Sequence, residues 1–220
     1  VDFVGITADH AKMKADSQTS GLYRTSSGAQ GYHIVLRTND TIDLYRVSSL
    51  PPAPNGCTND LGANGWKTWS IRNQQLIGTY PFPSNGLIFL EDDIFVDGQI
   101  NTARLTIAAA FFPDNPPFRK NIIVNNDVRY TNYDGRDVLA LIAQGDINVG
   151  MVSDNDLRID AALVAQNGRV GRHYYPAPPP NPSCSPYHVR QILTLYGMIA
   201  TNQRYGFAYT DGNGYQTRNL

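Results

Sequence analysis

The chain is poor in charge. Asp, Glu, Lys and Arg make up 17% of its 220 residues and the formal net charge is −1, below the roughly one quarter typical of globular domains. That balance removes any global electrostatic case for a nucleic-acid partner and leaves little material for long charged helices. Only two cysteines are present, Cys57 and Cys184. Two thiols without a C-x-x-C cannot build a structural zinc site alone. No apolar run is long enough to cross a bilayer, and no secretory signal is recognisable. The sequence has no H-E-x-x-H, no G-x-S-x-G, no phosphate-binding Gly-Lys loop and no dinucleotide fingerprint. His10, His33, His173 and His188 share no metal-ligand spacing. A structural or exposed role is expected for each, and neither a metal nor a cofactor is expected.

What the chain does have is Tyr, Gly and Asn, with thirteen Tyr and nineteen Gly, a surface composition common among secreted and cell-surface β proteins. It also repeats a phrase: Leu105-Thr106-Ile107-Ala108-Ala109, Leu157-Arg158-Ile159-Asp160-Ala161 and Leu193-Thr194-Leu195-Tyr196-Gly197, at spacings of 52 and 36 residues. Each is a short strand with aliphatic residues two apart, followed by small residues. Further segments of this type lie between: Leu87–Leu90, Ile94–Val96, Ile122–Val124, Leu139–Ala143 and Ile147–Val149. Short strands broken by Asn, Asp and Gly fit the corners of a parallel β-helix, where those residues accept bends that β-branched residues cannot. An antiparallel sandwich also has short alternating strands; the recurring order favours a β-solenoid with loops inserted between its strands. The expected fold is all-β, with an N-terminal β region over 1–84 and the solenoid over 85–220, its repeated strands running from about Gly86 to about Tyr205.

Within the first region, Ala8–Ala15 has weak helical periodicity. Tyr32–Arg37, the turn Thr38-Asn39-Asp40 and Thr41–Val47 read as a β-hairpin, with Ile34/Leu36 and Ile42/Leu44 at alternating positions. Pro51–Gly56 breaks the chain, and the irregular stretch to Pro83 holds Trp66 and Trp69, which are expected to pack on neighbouring strands. Two Pro-rich insertions, Phe111–Phe118 and Tyr174–Tyr187, are unfit for internal strands and are either functional loops or tolerated insertions. Cys57 and Cys184 form one disulfide tying an early loop to a late one if the protein is exported, and two surface thiols otherwise.

Three groups of residues are candidates for chemistry. Asp92, Asp93 and Asp97, and Asp154, Asn155 and Asp156, offer hard oxygen ligands of the kind calcium takes, but neither follows the twelve-residue calcium loop, so solvated turn carboxylates are expected instead. Asp134, Asp137, Asp146 and Asp160 fall on or near strands and are the acids to weigh for glycoside chemistry, which needs two carboxyls at a defined separation; Asp160 stands out in an aliphatic run. The strongest signal is basic and aromatic interleaving. Residues 1–100 hold seven Lys/Arg against ten Asp/Glu, and residues 101–220 eleven against nine, all Arg but Lys120. Arg129-Tyr130, Tyr133-Asp134-Gly135-Arg136, Arg158, Arg169-Val170-Gly171-Arg172-His173-Tyr174-Tyr175 and Arg204-Tyr205 would line up if coils stack about 4.8 Å apart. Such a row suits phosphate contacts and ring stacking; the alternative is aromatics closing the core edge with Arg laid over them. The nucleic-acid-binding set this pattern predicts is Arg129, Tyr130, Arg136, Arg158, Arg169, Arg172, Tyr174, Tyr175 and Arg204.

Val138–Ala143 leading to Asp146–Val149, then Ile159–Gly168, Leu193–Ala200 and the ending Gly214–Asn219, resemble the β-solenoid ectodomains of PilX-like bacterial pilus proteins over about residues 85–220. The resemblance implies a right-handed solenoid, export, and a pilus-associated place at the cell surface. It implies a non-enzymatic, minor pilin-like role, with double-stranded extracellular DNA captured for natural transformation. Other pilins would be met through parts of a larger parent protein, and this piece itself would make no membrane contact. Adhesion to a polysaccharide or surface, a rigid spacer, and a carbohydrate-active β-helix enzyme are the other readings.

Overall fold

A computed structural model describes residues 1–54, 57, 67–175, 184–207, 209–210 and 216–218. Trp66, residues 176–183 of the second Pro-rich insertion, and residues 214, 215 and 219 of the ending lie outside them. Helix α1 spans Gly5–Ser20 and is followed by strands β1 (Leu22–Arg24), β2 (Tyr32–Arg37), β3 (Thr41–Ser49) and β4 (Asn73–Pro81). Next come β5 (Leu87–Leu90), β6 (Ile94–Ile100), β7 (Arg104–Ala109), β8 (Ile122–Ile123), β9 (Val128–Tyr130) and β10 (Val138–Ala143). The last are β11 (Ile147–Val149), β12 (Asp156–Ala165), β13 (Val170–Arg172), β14 (Ile192–Thr201), β15 (Tyr209–Thr210) and β16 (Gln216–Arg218).

The protein is mostly β, and fourteen strands share one sheet that is mainly parallel. Its parallel pairs fall into three ladders. The first joins β1, β5, β7, β10, the second half of β12 and β14. The second joins β2, β6, β8, β11 and β13. The third joins the end of β6, β9, and the first halves of β12 and β14. Successive passes of the chain add to each ladder in turn. Like residues therefore stack in columns: Leu22, Ile88, Ile107, Leu141, Leu163 and Ile199 in the first ladder, and Ile94, Ile122, Ile147 and Val170 in the second. These columns form one continuous core. Full burial of each such side chain stabilises by about 1.5–3 kcal/mol.

The recurring phrase spans two different situations. Leu157 and Ile159 pair with Leu193 and Leu195, so the spacing of 36 is one full pass. Leu105 and Ile107 instead pair with Leu139 and Leu141. Leu105 sits in the first ladder, whereas Leu157 opens a strand in the third. Period-two burial writes the same alternation into every ladder, so the words match although the places differ. The ladders also begin earlier than Gly86, at β1 and β2.

The hairpin is present as read, with Ile34 opposite Leu44 and Leu36 opposite Ile42. β4 extends it, and β2 joins it to the second ladder, so residues of 1–84 and 85–220 share one sheet. The helix is longer than its weak periodicity indicates. Asp2 Oδ1 accepts the Val4 and Gly5 amides at 3.1 and 3.0 Å and caps it. It packs on the outer side of the first ladder, where Met13, Tyr23 and Phe112 meet Phe89, Ala108 and Ala110. Among the described residues its buried side chains are His10 and Ser17, which is why an apolar stripe is hard to see.

Corners are held by side-chain hydrogen bonds more than by unusual backbone angles. Asp93 Oδ1 accepts the Asn121 amide at 2.9 Å, Asn121 Oδ1 the Asp146 amide at 2.8 Å, and Asp146 Oδ1 the Arg169 amide at 2.7 Å. One polar side chain per pass thus ties each corner to the next. Gly98 is a different case: its φ is 106° and a Cβ there would run into the Leu36 backbone, so only glycine fits.

Candidate binding surface

The third ladder brings part of the Arg/Tyr set together. Val128, Ile159 and Leu195 point into the core, and strand alternation turns Arg129, Arg158, Asp160 and Tyr196 outward. Asp160 is nevertheless fully buried, because its neighbours close over it. Its Oδ2 accepts the Tyr130 amide at 2.9 Å and the Tyr133 hydroxyl at 2.6 Å, and its Oδ1 accepts Arg158 Nε at 2.9 Å. The Arg158 guanidinium lies over the Tyr133 ring, 5.1 Å from its centre.

Above this clamp stand three rings. Tyr133 and Tyr196 meet edge to face at 5.1 Å, Tyr130 and Tyr196 at 6.2 Å, and Tyr130 and Tyr133 lie 6.1 Å apart. Tyr130 is tethered inward, accepting the Leu139 amide at 2.9 Å, while Tyr133 and Tyr196 are 47% and 48% exposed. Burial and the hydrogen bond to Asp160 push the Tyr133 hydroxyl above the ordinary tyrosine range, so it stays protonated. The loop after β9 supplies polar edges: Arg136 donates to the Asp134 carboxylate and to Asn132 Oδ1, and Asn132 Nδ2 donates to Asn101 Oδ1.

Each arginine here is already matched. Arg129 pairs with Asp127 at 2.5 Å, Arg136 with Asp134 at 2.8 Å, and Arg158 with Asp160 at 2.9 Å. The surface therefore offers exposed rings and hydrogen-bonding groups without a local excess of positive charge.

The rest of the set lies elsewhere. Arg172 continues the inward column of Val149 and is 2% exposed. It donates to the carbonyls of Met151 and Tyr187 at 3.1 and 2.5 Å, and its guanidinium sits 4.7 Å from the Tyr175 ring centre. Tyr175 is fully buried beside Cys57, Met151 and Cys184. These two cannot meet a large ligand; they hold the corner and the late loop. Arg169 reaches His173 Nδ1 at 2.6 Å, Tyr174 is half-buried in the same loop, and exposed Arg204 follows β14. Tyr196 and Met198 are the outward residues that the basic-aromatic pattern missed. Strand parity was the available signal: Arg172 shares the parity of buried Val170, whereas Tyr196 alternates with Leu195.

Cys57 and Cys184 form a disulfide across 127 residues, with Cα atoms 4.8 Å apart. Of the acids weighed for calcium and catalysis, Asp92, Asp93, Asp97, Asp134, Asp137, Asp146 and Asp160 are engaged as acceptors, and Asp154 and Asp156 are exposed. Asp92 takes Ser26, Ser27 and Lys120, and Asp93 takes Asn121 and Lys67. Asp137 accepts the Ala103, Thr131 and Asn132 amides. Burial would raise its carboxyl, but these bonds outweigh burial and hold it below the ordinary range. Among the described residues no group of three His, Cys, Asp or Glu is arranged to hold a metal ion.

A cavity of about 180 Å³ beside the second ladder is lined by His33, Ser70 and Asp97 among others. Both ring nitrogens of His33 are engaged, Nδ1 with Gln74 at 2.7 Å and Nε2 with Asp97 at 3.1 Å. Ser70 Oγ bonds the Thr68 carbonyl and the Val152 amide, both at 2.9 Å. The three side chains do not form a relay. Comparison with protein-family models, with curated proteins and with solved structures finds no match to this chain.

Proposed function

We propose that the chain is a right-handed parallel β-solenoid serving as a non-enzymatic binding domain of an exported, pilus-associated protein, and that it holds a sugar polymer on the Tyr133–Tyr196 surface. The observation that carries this reading is the pair of half-exposed rings fixed over a buried carboxylate, among arginines that are all neutralised. The C–H face of a sugar ring packs against an aromatic face, while its hydroxyls exchange hydrogen bonds with Asn, Asp and Arg at the rim. The three ladders and stacked columns support the solenoid; its handedness follows from the resemblance to PilX-like ectodomains. A disulfide joining distant loops supports passage through an oxidising compartment.

Duplex DNA, captured at the cell surface for transformation, is the second reading. It is favoured by Arg129 and Arg37, which line one open groove of about 450 Å³. That groove also contains Asp127, and Arg37 is paired with Asp43, so phosphate would have to displace existing partners. The two readings separate by variant. Tyr133→Ala with Tyr196→Ala should abolish retention on immobilised polysaccharides, and Arg129→Ala should leave it intact. Retention unchanged by loss of both rings would overturn the sugar reading.

A further inference from the structure

Among the described residues, β14 is hydrogen-bonded along one side only. It pairs with β12 over ten residues, from Asp156 with Ile192 to Ala165 with Thr201. Among the described residues of the following segment none adds the next strand to it: Gly206 bridges Gly171, and β15 pairs with β16 in a separate sheet. The core is correspondingly open at this end. Leu193, Leu195 and Ile199 are only partly covered, whereas Leu157, Ile159 and Leu163, one pass earlier in the same columns, are buried. Ile192, Tyr196 and Met198 are about half exposed on the outer side.

Exposed edge strands are ordinarily blunted by charge, proline or bulges. β14 has none of the first two: its sequence Ile-Leu-Thr-Leu-Tyr-Gly-Met-Ile-Ala-Thr carries no charged residue and no proline. Of the edges at the other end, β1 is three residues long and finishes in Arg24, and β4 finishes in Pro81 and pairs irregularly with β3.

We propose that β14 joins two copies of this chain end to end, edge strand to edge strand about a twofold axis. The sequence of the strand suits that symmetry. With the axis at Tyr196, antiparallel pairing sets Leu193 opposite Ile199 of the second copy, core side to core side, and Ile192 opposite Ala200, outer side to outer side. β14 passes from the third ladder to the first around Tyr196–Gly197, so a twofold there lays the third-ladder half of one copy on the first-ladder half of the other. No like charges meet across the axis, since the strand has none. Both open cores are then covered by each other.

Light scattering and sedimentation of the purified chain across a concentration series test this. A dimer is expected. Ile192→Lys and Met198→Lys, each at an exposed position, should each weaken it at least about tenfold by placing on the edge a charge of the kind that blunts exposed strands, and Leu76→Lys on β4 should leave it unchanged. A monomer at every concentration overturns the proposal, as does growth into open chains. A dimer insensitive to both β14 substitutions, or one broken by Leu76→Lys, overturns it equally.

Discussion

Replacing Asp160 with Ala removes the one acceptor on which three segments converge. Arg158 and Tyr133 are both partly exposed, so their freed groups can turn to water at small cost. The Tyr130 amide belongs to β9 and, apart from the carboxylate 2.9 Å away, faces packed protein. Leaving one such donor unmet costs about 1–3 kcal/mol, which lowers the melting temperature of a chain of this size by roughly 2–4 °C per kcal/mol. Asp160→Asn retains an acceptor oxygen for that amide and should fall at the low end. Urea unfolding gives the stability, and an unchanged m-value shows that the same cooperative unit is being measured. Because Asp160 is fully buried it cannot touch a ligand, yet Asp160→Ala should also weaken sugar retention by releasing Tyr133. A stability within about 0.5 kcal/mol of the parent, the size of an inert surface change, would refute the clamp.

Reduction of Cys57–Cys184, or substitution of both by Ser, should destabilise the chain by as much as about 4–5 kcal/mol, since the closed loop exceeds a hundred residues; urea midpoints with and without reductant measure it. Leu141→Ala, in the middle of the first-ladder column, should cost about 2–5 kcal/mol, against little change for exposed Leu76→Ala. His10 gives a pH signature. Burial holds its imidazole below 6.5, although Gln166, Asp9 and Asp114 act to raise it. Protons therefore bind the unfolded chain first, so stability is full above about pH 6.5 and declines as pH falls below it. His10→Gln should flatten the difference between pH 7.5 and pH 5, read by thermal unfolding; an unchanged difference would assign it to other groups.

The hairpin was legible because both requirements sit in adjacent residues: alternation at Ile34, Leu36, Ile42 and Leu44, and a turn at Thr38–Asp40. Parallel pairing is harder to read, since the partner of Leu105 lies a full pass away at Leu139 and the passes differ in length. Helix α1 was legible only as the short, weak stretch Ala8–Ala15, because it buries a histidine and a serine where a stripe of Leu would have announced its full length. For the surface, residue type alone misassigned Arg172 and Tyr175, which lie inside, and left out Tyr196, which lies outside. Alternation along β13 and β14 separates Arg172 from Tyr196 once the strands have been placed, whereas Tyr175 lies beyond β13 and is buried by its packing on Cys57, Met151 and Cys184. Asp160 drew notice as an acid among aliphatics, but its role depends on Tyr133 and Arg158 folding over it, which no local pattern encodes.

The most direct test measures affinity of the purified chain for a bound polysaccharide and for duplex DNA at 50 and 200 mM salt. Ring stacking should give sugar binding that changes by less than about threefold over this range and disappears with Tyr133→Ala and Tyr196→Ala. Duplex binding that survives loss of both rings and falls by about a thousandfold or more with salt, as six or more phosphate contacts require, would contradict the sugar reading.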